Sequence, residues 1–150
     1  MVQTLYHSPA RIIRKLLLDQ GLASSSGDWQ CFYAREPNTP DNCLSVFGTA
    51  GTGGGSLMVT GELTGHDGFQ IRIRAKDHDT GRRKADAIQT ELAEVVYQQT
   101  VTIIDESITY TYTVWSVLPG DVLDLGTEDA PSARSVFTIN CTSAIDQNSP

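Results

Sequence analysis

The sequence predicts an α+β protein in which a mainly antiparallel, twisted sheet carries two helices packed on one face, as a single pair of layers. The predicted elements follow the order helix, strands, helix, strands, and the connections after the second helix are short enough to favour antiparallel neighbours. Only 19% of the residues are charged, while Gly, Ser and Thr are plentiful, which is typical of strands and loops. The 150 residues fit one domain, 1–150, and we expect residues 1–7 and 146–150 to be frayed.

The first predicted element is a short helix near the N-terminus. Ser8 is a favourable N-cap, and Pro9 suits the first helical position because an N–H there has no partner within the helix. Gly21 is expected to end the helix. Between them runs an apolar stripe at helical spacing, made of Ile12, Ile13, Leu16 and Leu17.

Extended segments are predicted next, at 29–34, 43–47, 57–60 and 68–75. Segment 36–41 is a turn-rich connection. Segment 48–56 consists of small residues with little to bury, so we expect a flexible, exposed loop. In the last extended segment Phe69, Ile71 and Ile73 alternate with polar residues, which predicts a half-buried strand.

The second predicted helix is the longest, from about 80 to 98, with Asp79 as its N-cap. Its predicted core stripe consists of Ala85, Ile88, Leu92, Val95 and Val96. The β-branched runs after it predict strands at 101–104, 108–117 and 135–141, the first two forming a hairpin. We expect Pro119-Gly120 to break the pattern and 126–133 to be a polar loop.

The formal net charge of −7 disfavours sequence-independent nucleic-acid binding, because acidic surfaces repel phosphates. A channel lined with negative charge nevertheless lets a duplex slide without binding it. The longest basic cluster, 82–84, is followed by Asp86 and is typical of a solvated helix start. Arg11, Arg14 and Lys15 lie on the polar face of the first predicted helix.

The three cysteines, Cys31, Cys43 and Cys141, have no close spacing, which argues against a disulfide framework or a zinc knuckle. Each falls in a predicted strand, where we expect a buried, reduced thiol. The start of the sequence lacks the basic and apolar regions of a signal peptide, and no apolar run approaches the roughly 20 residues of a membrane span. We therefore expect a soluble protein made in a reducing cytosol.

No catalytic motif is evident, and we predict no enzymatic activity, no cofactor and no metal. The histidines are His7, His66 and His78, and none pairs with another at metal-ligand spacing. The glycine-rich segment lacks the lysine of a phosphate-binding loop. One alternative stays open, a small metal-dependent hydrolase that uses His66, Asp67, His78 and Asp79.

Five segments of the chain carry distinctive patterns. They are the Pro37-x-x-Pro40-Asp41 stretch up to 46, the strand at 68–74, the helix carrying Ala85, Ile88 and Leu92, and the segments 123–126 and 134–140. Taken in order, these segments resemble phage minor capsid and tail-terminator proteins. The resemblance covers about residues 8–145. It departs at 48–49, where many relatives carry an acidic residue, and in the length of the glycine run, which leaves the role of that loop open.

The resemblance implies a homo-oligomeric ring, usually a hexamer, that caps the head-proximal end of the tail tube and forms the head–tail joint of the virion. The implied partners are other copies of the chain, the tail tube protein and a head-completion or neck protein. DNA is expected to pass through the lumen without specific binding, and no membrane is involved. A head-completion or neck protein bound to the portal is the alternative within the same virion.

Candidate subunit or partner contacts are chosen for exposure, flexibility or residue type. They are Gly51, Gly53, Gly54, Gly55, Gln70, Arg72, Arg74, Trp115, Leu118, Val122 and Leu123. The alternatives are an exposed sheet face for the polar residues of the 68–75 strand, a core position for Trp115, and interior filling for 118–125.

Overall fold

The computed structural model describes residues 5–52, 65–128 and 133–149. Over these residues it contains two helices and six strands. In chain order they are α1 (Pro9–Asp19), β1 (Gln30–Tyr33), β2 (Cys43–Thr52), β3 (Gly65–Ala75), α2 (His78–Glu94), β4 (Tyr97–Asp105), β5 (Ile108–Glu128) and β6 (Arg134–Ser149). The predicted α+β class is confirmed. The predicted extended segment at 57–60 lies outside the described residues.

Helix α1 begins and ends where the sequence predicts. The Ser8 hydroxyl accepts a hydrogen bond from the Arg11 backbone N–H at 3.3 Å, and Pro9 occupies the first turn. At the other end Gly21 adopts a φ of +76°, a left-handed conformation that costs glycine little. The predicted apolar stripe is buried along its whole length.

Helix α2 differs from the prediction at both ends. Its N-cap is Asp77, not Asp79, because the Asp77 carboxylate accepts hydrogen bonds from both the backbone N–H and the hydroxyl of Thr80. The helix ends at Glu94 rather than at 98, and Val95, which was predicted to face the core, is 49% exposed. Val96 is buried but lies outside the helix, in the connection to β4.

The six strands form one curled, mixed sheet in the order β1-β2-β3-β6-β5-β4. Four neighbouring pairs are antiparallel, whereas β1 and β2 are parallel, with Cys31 opposite Leu44. The sheet is therefore mainly antiparallel, as expected, but it is mixed because of this one parallel pair. The parallel pair arises because the connection 34–42 crosses back before β2 begins, so that both strands run in one direction.

Every strand after β1 extends further than predicted, and β2, β5 and β6 bear on particular expectations. Strand β5 continues through Pro119-Gly120 to Glu128, and a register shift between Pro119 and Val122 accommodates the proline. Strand β2 continues through 48–52, where a loop was predicted. Strand β6 reaches Ser149, so residues 146–149 pair with β5 and the expected fraying does not occur there.

The hydrophobic core lies between one face of the sheet and both helices. Paired residues such as Ile71 and Ile139 point to the same face, and they belong to one cluster with the buried stripes of α1 and α2. Helix α1 contacts β1 and β2 near one edge of the sheet and β4 at the other edge. A flat sheet could not bring both edges to one helix, so the sheet curls around α1.

Helix α2 approaches the sheet closely at Gly81. A Cβ atom at this position would lie 2.8 Å from a ring carbon of Phe137 and 2.9 Å from the Cβ of Ala75. Gly81 is buried, and neither neighbour has solvent to move into. Glycine is therefore required here for the distance between helix and sheet rather than for its backbone freedom.

We expect Gly81→Ala to lower the free energy of unfolding by about 1–2 kcal/mol, because overpacking outweighs the gain in helix propensity. Urea denaturation measures this change. Gly48→Ala is the matched control, since a Cβ atom at Gly48 meets nothing within 4 Å, and its effect should stay within about 0.5 kcal/mol. A stabilised Gly81→Ala protein would contradict the close approach.

Candidate assembly surfaces

A buried ionic cluster occupies the sheet face opposite the helices. Arg74 and Arg134 are only 2% and 1% exposed and are the largest fully buried side chains among the described residues. Arg74 lies 3.2 Å from Glu36, and Arg134 lies 2.6 Å from Glu128. Burial of a guanidinium group is tolerated only when carboxylates and hydrogen bonds replace its water, and both are present here.

Segment 34–42 covers this cluster. Arg74 donates to the backbone carbonyls of Pro40 and Asp41 at 2.7 and 3.3 Å, and Arg134 donates to the carbonyl of Asn38 at 2.7 Å. Backbone carbonyls held by buried cations leave this connection little freedom to move. The cluster thus fastens the segment between β1 and β2 onto β3 and β6.

The three polar contact candidates of β3 differ in how exposed they are. Gln70 is partly exposed and donates to Asn140 across the sheet at 3.0 Å. Arg72 is partly exposed and is paired with Glu36 and Glu128. Arg74 is buried within the protomer, so the expectation of an exposed face is wrong at that residue. A subunit contact stays a prediction for Gln70 and Arg72.

The apolar contact candidates lie on β5, and most of them are exposed. Leu118 is 75% exposed and Leu123 45%, so interior filling is wrong for both. Trp115 is 39% exposed, and its indole N–H donates to Asp146 at 2.7 Å, so it is not a core residue. Val122 is partly buried and packs against the core. Gly51 lies in β2, and Gly53, Gly54 and Gly55 lie outside the described residues.

Half of β5 is a sheet edge in the described part of the chain. Its pairing with β4 ends where Ser116 lies opposite Tyr97, and beyond that point β5 pairs only with β6. The segment 117–128 therefore has no neighbouring strand along one side, where it lies beside exposed leucines. This edge was not predicted, because Pro119-Gly120 indicated an end to the strand.

A second surface surrounds α1 and was not predicted as a site. Four basic residues line hollows where α1 meets β4 and β1, namely Arg11, Arg14, Lys15 and Arg35. Arg14 donates to the Cys31 carbonyl at 2.7 Å, and the Arg35 guanidinium lies 5.1 Å from the centre of the Phe32 ring. We call this surface the cationic groove. The sequence predicted that the basic residues at positions 11, 14 and 15 share the polar face of a helix. It did not predict that the fold brings Arg35 beside them.

The histidine–carboxylate pairs considered for a hydrolase do not come together. His66 lies near the start of β3 and His78 follows its end, so about 30 Å of extended strand separates them. Over residues 5–52, 65–128 and 133–149, no group of three or more His, Cys, Asp or Glu side chains is placed to hold a metal ion. The fold therefore offers the hydrolase alternative no convergent site among these residues.

His78 contacts Asp124 and not the His66–Asp67 pair of the hydrolase alternative. Its Nε2 atom lies 2.8 Å from the Asp124 carboxylate, and this hydrogen bond raises the pKa of His78 above its ordinary value. The same hydrogen bond lowers the pKa of Asp124. The pair ties the start of α2 to the distal part of β5.

His7 is a buried structural residue, although the N-terminus was expected to be frayed. Its ring nitrogens lie 2.6 Å from the Tyr112 hydroxyl and 3.1 Å from the Asp105 carboxylate. The hydrogen bond from His7, aided by the charge of Arg11, lowers the pKa of Asp105. These contacts attach the segment before α1 to β4 and β5.

The three cysteines are free, buried thiols, as predicted. Burial raises the pKa of Cys31 and of Cys141 to about 12 and also raises that of Cys43. Thiols with such pKa values carry almost no thiolate near neutral pH. They act as small apolar residues.

Comparison with known protein families matches residues 16–130 to the bacteriophage tail terminator proteins. The match spans most of the chain, so the protein is a structural component of a phage tail and belongs to the bacteriophage tail terminator family. This confirms the resemblance drawn from the sequence motifs. No curated protein matches the chain. None of the described helices is long and apolar enough to cross a membrane.

The ionic cluster predicts a large effect of Glu36→Gln on stability. Neutralising Glu36, whose side chain is 16% exposed, leaves the buried Arg74 short of a counter-charge. We expect the free energy of unfolding in urea to fall by about 3 kcal/mol. Asp86→Asn, which breaks the exposed pair with Arg82, is the control and should change it by less than about 0.5 kcal/mol. Equal effects would contradict the role of burial.

The His78–Asp124 pair predicts a raised pKa for His78 that depends on Asp124. We expect NMR to give His78 a pKa above 6.5, and Asp124→Asn to bring that pKa down. Because the folded-state pKa is raised, the pair stabilises the fold fully below the unfolded pKa and loses this effect as pH rises through the folded value. Asp86→Asn should leave the His78 titration unchanged. An unaltered pKa in Asp124→Asn would show that the pair does not form in solution.

Proposed function

We propose that this protein is the subunit of a tail-terminator ring that caps the head-proximal end of the tail tube and forms the head–tail joint of the virion. The observation that carries the proposal is the match to the tail terminator family over residues 16–130. Identical copies form a closed ring, with six copies expected from the resemblance. The ring works through its shape and surfaces rather than through a reaction.

In this mechanism one side of the ring covers the last ring of the tail tube. Tube subunits can no longer add there, because the surface they would bind is occupied. The opposite side presents different groups, to which a head-completion or neck protein binds. A ring of this kind requires two complementary surfaces on every subunit, because each copy meets two neighbours through different faces.

The acidic character of the chain supports passage of DNA through the lumen. With a net charge of −7 per subunit, a ring of several copies repels the phosphate backbone rather than binding it. Repulsion along a channel keeps a duplex centred and free to slide. In this proposal DNA therefore passes through the ring without being bound by it.

Deletion of the gene tests the position of the protein in the virion. We expect electron microscopy of lysates to show overlong tails detached from heads, because nothing then ends tube growth. Supplying the protein in trans should restore tails of uniform length. Full heads beside free tails of normal length would instead assign the protein to the neck.

A further inference from the structure

We propose that neighbouring subunits of the ring meet through two particular surfaces, the cationic groove of one copy and an acidic edge at the distal part of β5 in the next. This inference rests on the proposed ring and names the surfaces that build it. The acidic edge is defined by Glu94, Leu118, Pro119 and Asp121. It joins the C-terminal turn of α2 to the open side of β5.

The acidic edge combines an exposed apolar side chain with two carboxylates. Glu94, Leu118 and Pro119 line one shallow hollow, and Asp121 is exposed two residues further along β5. Gln89 donates to the Gly120 carbonyl at 2.7 Å, which holds α2 against this part of the strand. An exposed leucine surrounded by charges resembles the apolar centre and polar rim of an interface.

The charges of the acidic edge have no counterpart within the described part of the protomer. No basic side chain there pairs with Glu94 or Asp121. Glu94 also lies in the last turn of α2, where the helix dipole disfavours an anion and no basic residue is present. A carboxylate in a locally unfavourable position indicates a partner from outside the protomer.

The cationic groove offers the complementary charges. Among residues 5–52, 65–128 and 133–149, no carboxylate pairs with Arg14 or Arg35. Of the described carboxylates, the exposed Asp19 of the same helix is the one that pairs with Lys15. Apolar surface lies beside these charges, because Ile104 is 70% exposed and Tyr33 is 38% exposed. Arginine and aromatic residues are both enriched at the centres of protein interfaces.

The two surfaces are far apart on one protomer, as a closed ring requires. Thr102 of the groove lies opposite Thr111, and Asp121 follows ten residues later on the same strand. At 3.3 Å per residue the path along β5 from Thr111 is about 20 Å to Leu118 and about 30 Å to Asp121, and the register shifts in the strand shorten it. The groove and the edge of one protomer therefore cannot pair with each other, but each can pair with a second copy. A pair of copies joined in this way still has one free groove and one free edge, at which further copies can bind.

Charge reversal at both surfaces, followed by mixing, tests the inference. The groove variant carries Lys15→Glu and Arg35→Glu, and leaves Arg14 to hold the Cys31 carbonyl. The edge variant carries Glu94→Lys and Asp121→Lys. Each variant alone opposes like charges at every contact, so we expect its self-association in sedimentation velocity to weaken at least about a hundredfold. Circular dichroism and urea denaturation check that both variants fold.

An equimolar mixture of the two variants should restore the ring. The reversed groove of one variant then meets the reversed edge of the other, and the two unchanged surfaces meet as well. Native mass spectrometry should show assemblies with equal numbers of the two variants. The control, Lys76→Glu with Arg83→Glu, makes the same change in net charge at exposed residues outside both surfaces and should assemble like the wild type.

The outcomes separate this inference from the proposed function. If wild-type protein forms rings and the single variants form them equally well, or if mixing restores nothing, the surfaces named here are wrong although the ring stands. If the wild-type protein stays monomeric both alone and with isolated tail tubes, the ring itself is wrong. If a charge-reversed variant fails to fold, Lys15→Gln with Arg35→Gln replaces the groove variant, and unchanged self-association of that protein overturns the inference.

Discussion

The ionic cluster around Arg74 and Arg134 fixes how the outer face of the sheet is covered. Two guanidinium groups with almost no exposure require carboxylates, and Glu36 and Glu128 supply them from two distant parts of the chain. Because Glu36 belongs to the connection between β1 and β2, that connection must lie over β3 and β6. This placement also positions β1 beside β2 in parallel, and with it the wall of the cationic groove that β1 provides.

Sequence periodicity predicted the elements that bury one face and expose the other. Helix α1 followed from a cap, a proline and an apolar stripe, and β3 followed from alternation. Prediction failed where a distant partner overrides a local signal. Pro119-Gly120 breaks an isolated strand, but β6 pairs with β5 on both sides of it and a register shift absorbs the proline. Alternation likewise could not reveal that a later connection buries Arg74.

The sequence predicted some residues of the surfaces proposed for assembly, but not how these residues are arranged. Leu118 and Leu123 were recognised as candidates, but their exposure depends on β4 ending opposite Ser116. The basic residues of α1 were predicted to face away from the core, and they do so beside Arg35, which lies 20 positions after Lys15 and farther from the others. Only the contact between α1 and β1 brings these charges together, and no local pattern encodes that contact.

The open half of β5 has a consequence for the protein before it assembles. An uncovered strand offers its backbone to any extended polypeptide, which makes it a starting point for indiscriminate aggregation. Here Pro119 lacks an N–H, the ladder changes register before Val122, and the exposed carboxylate of Asp121 repels a second edge of the same kind. Newly made subunits are thereby protected from stacking through identical edges, while a positively charged surface can still approach.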